Sequence, residues 1–328
     1  MIIVTGGAGF IGSNLVRGLN ARGHEDILVV DDLQNGEKHR NLNSLVFRDL
    51  VDDRDFLEDL DQLENVPLQA IFHQGACSDT TERDGRYMMQ VNYEYSKRLL
   101  AFTQGRTPFF YASSASVYGD GDDGFREDPS CEYPLNVYAF SKFLFDRCVR
   151  AVLPNSKSQV VGLRYFNVYG PQENHKGRMA SVIYKFHHQI QEKGKLELFS
   201  GSDGFRRDFV HVDDAVAMNL FFFDHPELSG IFNCGTGQAE SFLQLATLVA
   251  GHYESAEVSE IPFPEDLQGK YQAFTQADLS AVREAGYDIP FKSLQDGVRD
   301  YVQLLQSAEG YHRRPARFAT DGPTPQTH

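Results

Sequence analysis

The stretch Met1-Ile-Ile-Val-Thr-Gly-Gly-Ala-Gly-Phe-Ile-Gly12 decides the fold. Ile2, Ile3 and Val4 form a short apolar run, broken by Thr5-Gly6-Gly7-Ala8-Gly9. Phe10, Ile11, Leu15 and Leu19 then follow at near-helical spacing. A buried strand, a glycine turn and a helix N-terminus in that order make an anion site. The glycines let the backbone approach a pyrophosphate, and the unpaired N–H groups and dipole of the helix face it. A bare strand-to-helix turn is the alternative. The strand before and the helix after favour the phosphate.

Working outward, short apolar runs alternate with helical patterns. Asp26–Asp32, Leu45–Phe47, Ala70–His73 and Pro108–Ser113 read as buried strands, with helices over Phe56–Leu63 and Tyr87–Phe102. This alternation predicts an α/β fold, a Rossmann-type doubly wound parallel sheet. Ligands of such sheets sit beyond the carboxyl ends of the strands. Asp31 lies at one such end, where an acid accepts hydrogen bonds from a ribose hydroxyl and favours NAD. Lys38, Arg40 and Arg54 nearby favour the 2′-phosphate of NADP instead, and Asp32 adds a second acid, so both cofactors stay open. At the next strand end, His73-Gln74-Gly75-Ala76-Cys77-Ser78 offers small residues for close backbone approach. His73 itself reads as a packing histidine, and Asn92 as a cap or core hydrogen-bonder.

Composition narrows the classes. The 328 residues suffice for two domains, and a hydrophobic share of 41% with 23% charged residues is that of an ordinary globular protein. A formal net charge of −15 argues against sequence-independent binding to nucleic acid or anionic membrane. Cys77, Cys131, Cys148 and Cys234 are dispersed without a CxxC pair, so neither a disulfide framework nor a metal site is expected. His187-His188 lacks a second ligand pair at suitable spacing. The chain opens directly into a strand and holds no bilayer-length apolar run, so a cytoplasmic location is expected.

The chemistry concentrates in Tyr111–Lys142. Ser113-Ser114-Ala115-Ser116-Val117-Tyr118-Gly119 places hydroxyls at a strand end, and Tyr138-Ala139-Phe140-Ser141-Lys142 opens a helix running to about Val152. Tyr138 and Lys142, at i and i+4, share one helix face. A phenol of pKa ~10 is a poor base at neutral pH. A neighbouring ammonium and a cationic nicotinamide both favour the phenolate. Ser114 can hold the reacting oxygen in line.

Gly6, Gly9 and Gly12, the SSASVYG strand end, YxxxK at Tyr138 and Lys142, and Arg164-Tyr165-Phe166-Asn167-Val168-Tyr169-Gly170-Pro171 together resemble the extended short-chain dehydrogenase/reductases that act on nucleotide sugars. The runs FHQGACSDTTE, YPLNVYAFSKFLFD, RYFNVYGPQENHKG, RRDFVHVDD and GKYQAFTQADL place the resemblance with the epimerases of ADP-linked heptoses, from Met1 to about Leu305. The resemblance implies a redox-neutral isomerase serving lipopolysaccharide synthesis. In such enzymes a nicotinamide takes a hydride from C6″, leaves a 6″-ketone, and returns the hydride to the opposite face. It implies NADP as cofactor, with NAD as the other candidate, an ADP-heptose substrate, and a homo-oligomer, a pentamer. Tyr138 and Lys176 match the two acid/base positions, with Ser114 and Lys142 beside the first. Gly6, Gly9, Phe10, Ile11, Asp31, Asp32, Lys38, Gln74, Gly75, Ala76, Cys77, Ser78, Asn92, Lys142 and Val168 match cofactor positions, beside Gly12 of the turn. Asn167, Phe199, Ser200, Gly201, Ser202, Arg207 and Tyr271 match substrate positions. Arg207 suits a diphosphate chemically, since guanidinium forks pair with phosphate oxygens. A salt bridge to Asp208 or Asp213 is its alternative.

The chain also departs from that pattern. Relatives often carry Asn at the place of Asp32 and a basic residue at the place of Asp53, so negative charge gathers near a 2′-phosphate. Arg178 and Lys185 stand where serine and histidine are expected on the substrate side, and both suit a diphosphate. Residues 1–167 are expected to form the dinucleotide domain, with later returns of the chain, and 168–308 mainly a smaller mixed α/β substrate domain. Its expected elements are helices Ser181–Glu192 and Ser241–Tyr253 and strands Leu196–Phe199 and Gly230–Asn233. Residues 309–328 read as a polar tail. A 4-epimerase acting on a UDP- or GDP-hexose is the alternative enzyme, and a non-catalytic cofactor-binding regulator is the alternative of another class. Intact Ser114, Tyr138 and Lys142 speak against the regulator. Ala115 and Ser116, where an Asp-Glu pair would be wanted, speak against a 4,6-dehydratase.

Overall fold

The computed structural model describes residues 1–262 and 273–313. Seven parallel strands form the central sheet: β1 (Ile2–Thr5), β2 (Ile27–Val30), β3 (Asp49–Val51), β4 (Ala70–His73), β5 (Phe109–Ser114), β6 (Val160–Tyr165) and, after three strands elsewhere, β10 (Gly230–Cys234). Their order is β10-β6-β5-β4-β1-β2-β3. Strand order reverses beside β1, so the crevice at its carboxyl end lies at the glycine turn. β1, β2 and β4 are buried throughout, as a sheet covered on both faces requires. One core layer packs the helices Phe10–Ala21 and Val212–Asp224 on one face; the other packs Tyr95–Thr103 and Val137–Val152 on the opposite face.

A second body holds β7 (Asn167–Tyr169), β9 (Arg206–His211) and β11 (Ala239–Ser241) in one small sheet, and β8 (Lys195–Phe199) with β12 (Glu257–Ile261) in another. Its own core lies under the helices Val182–Lys193, Phe242–Ala250 and Leu294–Ala308. The architecture is the expected doubly wound sheet with a smaller mixed α/β body.

Local expectations differ at four places. The strand Gly230–Asn233, expected in the smaller domain, is β10 of the central sheet, where it pairs with β6. The apolar run Leu45–Phe47 is not a strand: its side chains plug the core beside the first helix, and Asn20 bonds both backbone groups of Val46. The third strand is instead the short edge piece Asp49–Val51, which needs only one neighbour and tolerates polar residues. Phe56–Leu63 divides into the helix Asp53–Glu58 and a 3₁₀ turn, Leu60–Leu63. The segment expected to start the tail is packed at its beginning. Tyr311 is buried, Arg40 lies 4.0 Å over its ring, and the Gly310 carbonyl accepts from the Gln172 N–H. Residues 314–328 lie outside the described residues.

Candidate active site

The glycine turn is built by contact. Gly6 has φ +67°, and a Cβ there would stand 2.5 Å from the Gly75 nitrogen; one on Gly12 would stand 2.0 Å from the Gly6 carbonyl oxygen. Helix Phe10–Ala21 starts at Gly9 with no side-chain cap and no acid in its first turn. Four N–H groups at such an end lack intrahelical partners, so the cradle fits a pyrophosphate. Ile11 lies in that first turn.

At the end of β2, the buried Asp31 carboxylate accepts from the Ala8 N–H at 2.8 Å and pairs with Lys38 at 2.8 Å. Lys38 also reaches Asp32 at 2.7 Å. Burial pushes the Asp31 carboxyl up, opposed by Lys38. Lys38 is pulled up by both carboxylates against burial. Asp53 is raised by burial and by the fields of Asp32, Asp52 and Asp31. The end of β2 is therefore an acidic cluster around one lysine, while Arg54 stays exposed.

At the end of β4, His73 is a satisfied core residue, bonded to Thr5 at 2.6 Å and Ser96 at 2.8 Å. Gln74 accepts from Tyr165 at 3.0 Å. Asn92 grips Cys77, accepting from its N–H at 2.8 Å and donating to its carbonyl at 3.0 Å. This fixes the Gly75-Ala76-Cys77-Ser78 backbone against the helix that carries Ser141.

Helix Val137–Val152 is capped by Asn136 through the Ala139 N–H, which sets the register of Tyr138 and Lys142. Lys142 is buried and donates to the Ala112 carbonyl of β5 at 2.8 Å. Burial pulls it down to about 8, opposed by Asp146. Tyr138 is pushed up by burial, and the Ser114 hydroxyl works against this. The Ser114 oxygen also accepts from the Ser116 hydroxyl at 2.9 Å. Tyr138, Lys142 and Ser114 thus converge at one strand end.

A 3₁₀ segment, Asn174–Met179, crosses the cleft. Asn35 donates to the His175 carbonyl at 3.1 Å, and the Lys176 ammonium lies 4.9 Å from the centre of the Phe10 ring. Gly177, at φ 51° and ψ −121°, turns the chain immediately afterwards. Burial pulls Lys176 down, opposed by Glu173. The guanidinium of Arg178 bonds Asp79 on the β4 loop and is largely exposed. Lys185 is exposed on the next helix.

On the second body, Arg207 is buried on β9 with its guanidinium 5.7 Å from the Phe242 ring centre. Asp208, one of its expected partners, is taken by the N–H groups of Thr236, Gly237 and Ala277. Asp213 lies with His211 and Lys292. Phe199 ends β8, and Ser200, Gly201 and Ser202 form the turn after it, with Gly201 at φ +85°. Asn167 and Val168 lie on β7, Asn167 exposed. Tyr271 lies outside the described residues.

Two residues of this region escape sequence reading. Asp146, four residues after Lys142, accepts from Tyr111, Ser113 and Arg164 in the core. Glu173, three before Lys176, is buried and accepts from Ser181 and Tyr301. Their spacing from the two lysines is the only signal, and on a solvated helix it would mean nothing.

Residues 2–235 match the model of the NAD dependent epimerase/dehydratase family. An ADP-L-glycero-D-manno-heptose-6-epimerase of Brachyspira hyodysenteriae is 57% identical, over 95% of this chain and 99% of its own. A crystal structure of the Helicobacter pylori ADP-L-glycero-D-manno-heptose-6-epimerase superposes with a TM-score of 0.81 at 31% identity, covering 93% of this chain and 96% of that one. A Thermus thermophilus UDP-glucose 4-epimerase in complex with NAD superposes with a TM-score of 0.76 at 28% identity, covering 94% and 99%. The chain therefore belongs to the NAD dependent epimerase/dehydratase family, beside the ADP-L-glycero-D-manno-heptose-6-epimerases.

Proposed function

We propose that the protein interconverts the C6″ epimers of ADP-glycero-D-manno-heptose through a transient 6″-ketone, with Tyr138 and Lys176 as its two acid/base groups. The observation that carries this reading is the loop Asn174–Met179, which brings a second lysine, pulled down by burial, over Phe10 at the glycine turn, on the same carboxyl edge of the sheet as the Tyr138–Lys142 strand end. Inversion at one carbon presents the hydroxyl in two directions, and a single base serves both poorly.

A nicotinamide dinucleotide, when bound, supplies the reversible oxidation of a secondary alcohol. The turn Gly6–Gly12 would hold its pyrophosphate, Asp31 its adenosine ribose, and Gln74–Ser78 with Lys142 its nicotinamide half. In one direction Tyr138, as phenolate, accepts the hydroxyl proton of one epimer, and Lys176, as ammonium, donates to the ketone oxygen as the other epimer forms. The reverse direction exchanges these roles, and exchange with solvent restores the starting protonation of both groups. Lys142 lowers the cost of that phenolate by its charge, and Ser114 donates to the reacting oxygen. Starting from the other epimer, Lys176 as amine accepts the hydroxyl proton and Tyr138 as phenol donates. Arg207 would pair with the substrate diphosphate, with Asn167, the turn Phe199–Ser202 and Lys185 around the sugar nucleotide. Arg178, held by Asp79, serves this reading less directly than its charge suggested. Residues 1–167 are read as the cofactor domain and 168–308 mainly as the substrate domain.

The finer cofactor reading is NAD. Lys38 is already paired with Asp31 and Asp32, so a 2′-phosphate would enter against the negative charge of Asp31, Asp32 and Asp53. Releasing the cofactor and measuring its mass tests this; a 2′-phosphate on it rejects the NAD reading.

The activity is tested with the D-glycero epimer of ADP-heptose, followed by NMR. Tyr138→Phe and Lys176→Met should each lower epimerisation by about 10²–10⁴-fold while cofactor stays bound. Full activity in either variant removes that residue from the mechanism, and turnover of a UDP- or GDP-hexose in place of ADP-heptose supports the 4-epimerase.

A further inference from the structure

Among the described residues, two that are not glycine have left-handed backbone, Glu309 at φ 54° and Gln172 at φ 73°. Glu309 closes the helix Leu294–Ala308, an end where that conformation is common. Gln172 closes no helix. It sits between β7 and the segment that carries Lys176, fully buried, and its side-chain oxygen has no hydrogen-bond partner among the described residues. A residue with a Cβ is strained in this backbone, and an unpaired buried amide oxygen adds a desolvation cost. Such a residue persists where its surroundings over-determine it.

The other polar groups of Gln172 are all held. Its N–H donates to the Gly310 carbonyl at 2.8 Å, and its carbonyl accepts from Asn41 at 3.1 Å. Its side-chain amide donates to the Ser13 hydroxyl at 2.8 Å. Ser13 in turn donates to the Phe10 carbonyl at 3.2 Å, one turn back along the first helix. The Phe10 ring is the one over which the Lys176 ammonium lies, 4.9 Å from its centre. A closed path therefore runs from Lys176 back along the chain to Gln172, across to Ser13 and Phe10, and through the ring to the lysine again.

Two further bonds stiffen that path. The Asn41 amide also donates to the Ala8 carbonyl of the glycine turn at 2.9 Å and lies 3.3 Å from a ring nitrogen of His175. The Lys176 N–H donates to the Glu173 carbonyl at 3.0 Å, so the span between Gln172 and the lysine is short and internally bonded. We propose that Gln172 is a positioning residue for Lys176: its side chain, bonded to Ser13, fixes the cleft-crossing segment against the turn of the first helix that carries Phe10, and so holds the lysine over that ring. The strained backbone aims the side chain at Ser13, which a relaxed residue at this place would not reach. This rests on the two-base reading given above.

The test uses the full chain with its cofactor. Gln172→Met keeps the bulk of the side chain and removes its bond to Ser13; Ser13→Ala removes the same bond from the other side. Each is compared with wild type by kcat and KM, and by NMR of the lysines after isotope-labelled reductive methylation, with Lys176→Met assigning the signal. A group over the face of an aromatic ring resonates at high field, and Phe10→Leu gives the Lys176 position without the ring. In both variants the Lys176 signal should move towards that position. Their kcat should fall about 10–100-fold with KM little changed. The double variant should be within about twofold of the slower single one, because both act through one bond. An unmoved Lys176 signal, or a kcat within about twofold of wild type, overturns the proposal even if the protein is less stable, since a purely structural Gln172 would lower the unfolding temperature and leave the lysine over the ring. If Gln172→Met does not fold, Ser13→Ala is read by the same criteria. The two layers separate cleanly. A fully active Lys176→Met with a moved signal in Gln172→Met defeats the two-base reading and leaves the placement of the lysine. An inactive Lys176→Met with an unmoved signal does the reverse.

Discussion

Lys142 shows how one residue's surroundings set a pH dependence. Burial pulls it down to about 8, and Asp146 keeps it from falling further. Below that pH it carries the charge that favours the Tyr138 phenolate; through about 8 the charge is lost. Epimerisation should therefore fall on the alkaline side with an apparent pKa near 8. In Lys142→Met the small residual rate should instead rise with pH, because Tyr138 must then ionise unaided. A pH profile of kcat under saturating substrate checks both, and a wild-type plateau extending well beyond pH 8 rejects the assignment of this limb to Lys142. Tyr138, Lys142 and Ser114 were legible because strand end and helix spacing force them together. Asp146 and Glu173 were not: a carboxylate at i+4 or i−3 from a lysine usually marks a solvated face, and nothing in the spacing shows that these two are buried.

At the level of elements, the alternation of apolar runs with helical patterns gave the sheet its strands because a doubly covered strand must be apolar on both faces. Edge strand β3 escaped because one exposed edge and few core contacts leave little pattern to read. The glycine turn was legible from its strand–turn–helix context, and its physical tightness explains why. Gly12 is a helical position with ordinary φ, so alanine would be favoured there by about 1 kcal/mol on propensity alone. The Cβ would stand 2.0 Å from the Gly6 oxygen, however, and the contact is with backbone that cannot swing aside. The helix N-terminus must then move away from the turn. Gly12→Ala should lose the co-purifying cofactor, read from the absorbance spectrum and mass of the released nucleotide, and cofactor occupancy equal to wild type defeats the tight-cradle account.

On the scale of the whole molecule, the last helix fastens the two bodies. Tyr301 reaches Glu173 on the cleft-crossing segment, and the Gly310 carbonyl just beyond the helix accepts from Gln172. Gln172 in turn donates to Ser13 of the first helix at 2.8 Å, and Asn14 of that helix donates to the Pro171 carbonyl at 2.9 Å. A continuous set of buried bonds thus runs from the first helix to the C-terminal helix, which no periodicity in the sequence could announce. Gly297 is where the helix lies closest to β7: a Cβ there would come 1.9 Å from the hydroxyl oxygen of Tyr169, itself fully buried. Two effects compete in Gly297→Ala. Helix propensity gains about 1 kcal/mol, while overpacking a closed core costs about 1–3 kcal/mol. A contact this short cannot be relieved by a rotamer change of the ring, so the helix must lift and the cost should win. Gly297→Ala should unfold at a lower temperature than wild type, with both proteins measured at equal cofactor saturation. It should also release cofactor faster, because the displaced helix loosens Glu173 and the segment over the cleft. An equal or higher unfolding temperature with an unchanged release rate would show that the helix is not the fastening between the two bodies.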